Sequence, residues 1–100
     1  MPKQPEGRLV KRIQQMLARK GAVGFKIHGG DNYQERGIPD ILCCYCGKFV
    51  GIECKQPGEP LSAAQKYQLH RIEEAGGIAI VAESLEDVER ALSKAARIGG

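Results

Sequence analysis

The sequence predicts an α/β fold in which a mixed sheet is flanked by helices. Apolar residues recur at three- and four-residue spacing in three segments, which is the pattern of amphipathic helices. Short runs rich in β-branched and aromatic residues lie between these segments and are bounded by glycine, which indicates strands. The predicted order is helix, strand, strand, strand, helix, strand, helix, in one domain that spans residues 1–100.

The chain begins with a predicted helix and a predicted strand. The helix covers residues 6–20, where an apolar face repeats every three or four positions until Gly21 ends it. This face consists of Leu9, Val10, Ile13, Met16 and Leu17. Residues 22–28 then alternate as a strand does, and a polar loop over residues 29–37 follows.

Residues 37–55 are predicted to form two strands joined by a tight turn at Cys46-Gly47. Apolar and β-branched side chains suit the two strands, and glycine in a short connection marks a hairpin. The simplest register pairs Tyr45 with Lys48 across the turn. Register matters here because it decides which side chains share a face of the sheet.

The second half of the chain completes the predicted sheet and adds two helices. Residues 56–60 contain two prolines and a glycine and are therefore expected to be irregular. A helix follows over residues 62–75, and the continuous apolar run 78–82 is expected to be a strand buried on both faces. Ser84 is expected to cap a last, C-terminal helix.

The hairpin register places two carboxylates and a lysine on one face. Asp40 falls directly opposite Glu53, so their Cβ atoms are expected to lie about 4.5–5.5 Å apart. Alternation with period two adds Lys55 to the same face. Facing carboxylates repel each other unless a cation lies between them, and Mg²⁺ prefers oxygen ligands of this kind. The pattern therefore predicts a metal site beside an ammonium group, whereas a slip of one residue would separate the two acids.

Two further polar residues point towards this hairpin from predicted helices. Glu6 extends the apolar face of the first helix, where it either serves the site or complements the positive helix end. Ser62 and Gln65 have the spacing of a capping box, which accounts for both residues locally. Gln65 also aligns with Leu69, which directs it inward.

Charge and hydropathy restrict the class of protein. The net charge is +3, which permits contact with nucleic acid without requiring it. Lysine and arginine are concentrated in the first quarter of the chain, where they either attract a polyanion or form a solvated helix face. No apolar run reaches the roughly 18–20 residues of a membrane span, and the N-terminus lacks a signal-peptide core. We therefore expect an intracellular, cytoplasmic protein.

The four cysteines do not have the spacing of a zinc knuckle. Strand alternation places Cys44 and Cys46 on one face of the hairpin and Cys43 and Cys54 on the other, so no four-sulfur tetrahedron closes. We expect reduced, buried cysteines that pack as small apolar side chains.

At these positions the sequence resembles the PD-(D/E)xK nuclease superfamily and, more narrowly, the virus-type replication-repair nuclease (VRR-NUC) domain. The resemblance runs from about Glu6 to Ala82 and implies a restriction-endonuclease-like αβββαβ core. The segments that carry it are Glu6, Gly37-Ile-Pro-Asp40, Gly47-Lys-Phe, Ile52-Glu-Cys-Lys55, Leu61-Ser-x-x-Gln65 and Gly77 to Val81. Compact members of this family come from bacteriophages or bacteria, which implies the cytoplasm of a bacterium or of a phage-infected cell.

The resemblance implies metal-dependent hydrolysis of phosphodiester bonds. In this family pattern Asp40 and Glu53 would ligate Mg²⁺ or Mn²⁺, and the backbone carbonyl of Cys54 would be a further ligand. Metal ions in such sites activate water and stabilise the attacking and leaving oxygens.

Three other residues receive roles from the same resemblance. Lys55 would position the attacking water and offset charge in the transition state. Glu6 would support the metal site or its water, and Gln65 would lie beside Lys55.

Stand-alone members of the family resemble Holliday-junction resolvases that work as homodimers, since two-fold symmetry supplies the paired cuts that a four-way junction needs. The resemblance thus implies a homodimeric, structure-specific DNA endonuclease. The alternatives are a flap-cutting or restriction-type nuclease of the same superfamily and a non-catalytic DNA-binding module. The residues expected to contact DNA are Arg8, Lys11, Lys26, Tyr33, Arg36 and Ser62.

Overall fold

A computed structural model describes residues 5–28 and 35–98 of the chain. Its elements are α1 (Pro5–Arg19), β1 (Val23–Lys26), β2 (Ile41–Tyr45), β3 (Lys48–Cys54), α2 (Ala63–Glu74), β4 (Ile78–Ala82) and α3 (Leu85–Ile98). The predicted order and type of the elements are confirmed, and the α/β fold class with them. The largest difference in length is at β1, which is shorter at both ends than the predicted strand.

The four strands form one sheet in the order β1-β2-β3-β4. The pairs β1–β2 and β2–β3 are antiparallel, and β3–β4 is parallel because α2 carries the chain back across the sheet. The sheet is therefore mixed, as predicted. Strand β3 lies between two neighbours and pairs with both over residues 50–52, whereas β1 and β4 are the edges.

The hairpin between β2 and β3 has the predicted register, in which Tyr45 pairs with Lys48 and Leu42 with Gly51. Both turn residues have positive φ, 51° at Cys46 and 79° at Gly47. Two consecutive residues in this region define a type I′ turn, whose twist matches that of the strands it joins. Glycine adopts positive φ without steric penalty. Among the described residues other than glycine, Cys46 alone has a positive φ.

Helices α1 and α3 cover one face of the sheet and enclose the hydrophobic core. The apolar side of α1 packs there together with Val88 and Leu92 from α3. The sheet contributes alternate residues from its three longer strands, as period-two alternation requires. These residues are Ile41, Cys43, Val50, Ile52, Cys54, Ile80 and Ala82.

Helix α2 covers part of the opposite face, over β3 and β4. The fit is close at Gly51, where a Cβ atom would lie 2.5 Å from Cδ1 of Ile72. Beyond the helix, Phe25 is 65% exposed and Phe49 is 51% exposed. The expectation that residues 78–82 are buried on both faces is wrong at Val81, which is 43% exposed because it faces the side of the sheet that α2 covers only in part.

The cysteines on the strands divide between the two faces as predicted, with Cys43 and Cys54 on one face and Cys44 on the other. Cys43 and Cys54 are buried, and burial raises the pKa of the Cys43 thiol to about 11, so that it stays protonated at neutral pH. Cys44 and Cys46 are exposed, which corrects the expectation that all four are buried. Cys44 lies on the part of the sheet that α2 leaves uncovered, and Cys46 lies in the hairpin turn.

Within the described ranges, no helix has the length and apolar character needed to cross a membrane.

Candidate active site

The two acids of the hairpin lie side by side at one end of the sheet. The last pair of the β2–β3 ladder joins Ile41 to Ile52, so Asp40 and Glu53 occupy the next opposed positions. Alternation turns both away from the core, towards the face that α2 covers. Glu53 is 4% exposed and Asp40 is half-buried.

Asp40 is held in place by hydrogen bonds to both neighbouring strands. Its side-chain Oδ2 accepts the backbone N–H of Cys54 at 2.8 Å. Its backbone carbonyl accepts the N–H of Ile27 at 2.8 Å, just beyond the end of β1. Pro39 is fully buried and fixes the chain immediately before the acid. The carboxylate is therefore directed at the strand that carries Glu53.

Glu53 receives a hydrogen bond from the first turn of α2. The Gln65 Nε2 group donates to Glu53 Oε2 at 3.1 Å. The other end of the same amide is occupied, because Gln65 Oε1 accepts the backbone N–H of Ser62 at 2.9 Å. The Gln65 N–H donates in return to Ser62 Oγ at 3.1 Å, which completes the predicted capping box. The cap thus decides which end of the amide faces Glu53.

Lys55 follows on the same face and is 6% exposed. Its backbone N–H donates to the carbonyl of Ala82 at 2.9 Å, which extends the pairing of β3 with β4. Its Nζ atom lies 3.5 Å from Oε2 of Glu59. The hydrogen bond from the Gln56 backbone, followed by the charge of Lys55, lowers the pKa of Glu59, so this acid is charged at neutral pH.

The segment that leads into Asp40 is anchored to α2 by polar contacts. The buried Gln68 donates through Nε2 to Glu35 Oε2 at 2.9 Å and to the Arg36 carbonyl at 3.1 Å. Arg71 pairs with Glu35 at 2.8 Å. The Gln68 hydrogen bond and then Arg71 lower the pKa of Glu35, which keeps it charged. The sequence signal for this anchor was weak, because its residues are more than 30 positions apart.

Gly37 sets how closely this segment approaches the start of α2. Its φ is +80°, and a Cβ atom there would lie 2.4 Å from both C and O of Ala64 and 2.7 Å from N of Gln65. These are rigid backbone atoms within the capping box. A side chain at position 37 would therefore push the segment and the helix apart.

We expect Gly37→Ala to lower the free energy of unfolding by about 2 kcal/mol or more, since backbone strain and a steric clash add. Urea denaturation provides the measurement. The matched control is Gly21→Ala, because Gly21 has a φ of +81° and nothing within 4 Å of the added Cβ. That control is expected to lose about 1 kcal/mol from strain alone. Equal losses in the two variants would show that Gly37 is needed only for its φ.

The oxygen donors of this site suit a hard divalent cation. Asp40 and Glu53 contribute two carboxylates, and Cys54 has a backbone carbonyl between Glu53 and Lys55. Mg²⁺ is commonly bound through one or two carboxylates while it retains several waters. In the part of the chain that the structure describes, no three His, Cys, Asp or Glu side chains come together as a metal cluster. The two carboxylates and the carbonyl are donors of the type that Mg²⁺ and Mn²⁺ accept.

The other predicted site residues lie at varied positions. Glu6 belongs to the first turn of α1, but its side chain is outside the described part of the structure, as is all of Tyr33. Arg36 is exposed in the segment before Asp40, and Ser62 is the N-cap of α2.

Three of the predicted DNA contacts lie away from the two acids. Arg8 and Lys11 are exposed on α1, the helix on the opposite face of the sheet. Lys26 pairs with Ile41 and points to that same opposite face.

Glu59, which contacts Lys55, had not been predicted as a site residue. Its position four residues after Lys55 and beyond a Pro-Gly turn could have indicated it.

No family model matches the sequence, and no curated protein matches it. Several solved structures share the fold, among them two that are described as VRR_NUC domain proteins. One, described as "VRR_NUC domain", has a TM-score of 0.75 and 20% identity, covering 91% of this chain and 97% of its own. Another, described as "VRR_NUC domain protein", has a TM-score of 0.64 and 15% identity, covering 94% and 89%. The chain therefore has the fold of a VRR_NUC domain, and the fold implied by the sequence resemblance is confirmed.

Proposed function

We propose that this protein is a metal-dependent DNA endonuclease. The observation that carries the proposal is the grouping of Asp40, Glu53 and Lys55 on one face of the central hairpin. Two acids with a lysine two positions after the second form a set that serves phosphodiester hydrolysis. The VRR_NUC fold supports the same class of activity.

The proposed cofactor is Mg²⁺, for which Mn²⁺ can substitute. Asp40, Glu53 and the carbonyl of Cys54 would hold the ion. When bound, it would lower the pKa of a coordinated water and stabilise the charge that develops on the phosphate oxygens.

The chain's own residues would align these donors. The Cys54 N–H holds the Asp40 carboxylate towards β3, and Gln65 holds the Glu53 carboxylate from the other side. Lys55 would orient the attacking water and place positive charge where negative charge develops. Glu6 would support the metal site or its water from α1.

We propose a four-way DNA junction as the substrate and a homodimer as the active form. A four-way junction is resolved by two cuts, and a two-fold axis supplies two equivalent sites. Phe25 and Phe49 are exposed on the sheet and are the candidate contacts for this association. Arg8, Lys11, Lys26, Tyr33, Arg36 and Ser62 are the proposed DNA contacts.

A panel of labelled substrates tests the proposal. The wild-type protein with Mg²⁺ is expected to cut a four-way junction by paired incisions and to stop when the metal is chelated. If the protein cuts flap, nicked or linear DNA faster than the junction, that DNA and not the four-way junction is the substrate. Binding of DNA without cleavage under any metal would favour a non-catalytic module. A solution mass of twice 10.9 kDa would support the homodimer, and a mass of 10.9 kDa would overturn it.

A further inference from the structure

The segment after Lys55 is a tight turn that returns an acid to the lysine. The Glu59 N–H donates to the carbonyl of Gln56 at 3.0 Å, and Gly58 has a φ of +82°. Pro57 occupies the position before it. A proline followed by a residue with positive φ is the pattern of a type II turn. The backbone from 56 to 59 is thus closed on itself immediately next to the candidate active site.

The Glu59 carboxylate is engaged through both of its oxygens. Oε1 accepts the backbone N–H of Gln56 at 3.0 Å, and Oε2 lies 3.5 Å from Nζ of Lys55. The first contact belongs to the turn and fixes the direction of the carboxylate. The second contact directs that carboxylate at the ammonium. Glu59 is therefore held by the backbone in a position from which it can restrain Lys55.

Lys55 needs such a restraint because of its length and its burial. A lysine side chain has four rotatable bonds, and its ammonium is a point charge without a preferred orientation. The Lys55 side chain is 7% exposed, so its charge is largely removed from water, whereas Glu59 is 38% exposed. A buried ammonium is stabilised by an opposite charge, and the contact with Glu59 supplies one.

We propose that Glu59 is a positioning residue that holds the Lys55 ammonium in place for phosphodiester hydrolysis. The inference rests on the proposed nuclease function and deepens it, since it names a residue that acts through Lys55. Misplacing a catalytic group by about 1 Å can lower a rate about 100-fold. Loss of the restraint should therefore act on the chemical step and leave the metal ligands in place.

The variant Glu59→Gln separates the two contacts. The glutamine carbonyl oxygen can still accept the Gln56 N–H, so the turn is retained, while the charge opposite Lys55 is removed. We expect kcat on the best-cut DNA to fall about 10- to 100-fold. KM should stay level or fall, because removing a negative charge beside a polyanion favours binding. A general folding defect would instead lower kcat and raise KM.

Two further variants sharpen the kinetic test. Glu59→Asp keeps the charge and is expected to recover a higher kcat than Glu59→Gln. The matched control is Glu89→Gln, which removes the acid of another lysine pair, with Lys20, between α1 and α3. That control should leave kcat unchanged. An equal fall in Glu89→Gln would overturn the inference.

An NMR measurement reads the contact without any activity. In ¹H–¹⁵N spectra of lysine ammonium groups, Lys55 should give a slowly exchanging signal in the metal-free wild type, assigned by its loss in Lys55→Met. The signal should disappear or shift in Glu59→Gln and persist in Glu89→Gln. A wild type that cuts no DNA would overturn the proposed function and this inference with it. An active wild type with kcat unchanged in Glu59→Gln would overturn the inference alone.

Discussion

Asp40→Asn is expected to abolish DNA cleavage, with a fall in rate of at least about 10³-fold. The substitution removes one of two negative charges that would bind the metal, and metal stabilisation of the transition state contributes several kcal/mol. The fold should be retained, since the asparagine oxygen can still accept the Cys54 N–H that Asp40 accepts at 2.8 Å. The loss is therefore one of charge, with the geometry preserved.

Calorimetric titration with Mn²⁺ checks this expectation independently of activity. Wild-type protein should release or take up heat on binding the ion, and Asp40→Asn should show binding that is at least about 10-fold weaker. Glu86→Gln is the control, because Glu86 is an exposed acid on α3 on the opposite face of the sheet. Mn²⁺ affinity that is equal in Asp40→Asn and the wild type would remove Asp40 from the metal site.

Lys55→Met is expected to lower kcat about 10²- to 10³-fold, the range for removal of one group that stabilises transition-state charge. Methionine keeps an unbranched apolar stem in the buried position that Lys55 occupies, so packing should change little. The affinity for Mn²⁺ should not fall, since the ammonium is not a ligand. This combination, with chemistry lost and metal binding kept, distinguishes Lys55 from the two acids.

The control for this substitution is Lys94→Met on the exposed side of α3. It makes the same chemical change away from the hairpin and should cleave DNA at the wild-type rate. Normal cutting by Lys55→Met would remove the lysine from the mechanism. A fall shared by both variants would point to a general loss of DNA attraction by positive charge.

The hairpin could be predicted from the sequence because its signals are local. A glycine turn, two apolar strands and period-two alternation together define one register, and the structure has that register from Tyr45–Lys48 onwards. Once the register is known, the shared face of Asp40 and Glu53 follows from geometry alone. The capping box at Ser62 is equally local and was found in the same way.

The contacts that support the site from a distance could not be derived in this way. The family resemblance implied that Gln65 lies beside Lys55, but it did not give the hydrogen bond that Gln65 donates to Glu53. Such a contact depends on where α2 crosses the sheet, and that is decided by close fits such as Gly37 against Ala64. No sequence period encodes a contact of this type. The exposure of Val81 was missed for a related reason, since the area of the sheet that α2 covers is a property of the whole fold.

The position of β3 inside the sheet affects how often the backbone at each of the two acids opens locally. Amide hydrogens in a central strand exchange with solvent mainly through global unfolding, whereas the end of a ladder opens far more often. Glu53 pairs with Val81 in the parallel ladder of β3 and β4, and Asp40 lies just beyond the last antiparallel pair of β2 and β3. We therefore expect the backbone at Glu53, which the pairing of β3 with β4 holds through Cys54, to open locally less often than the backbone at Asp40.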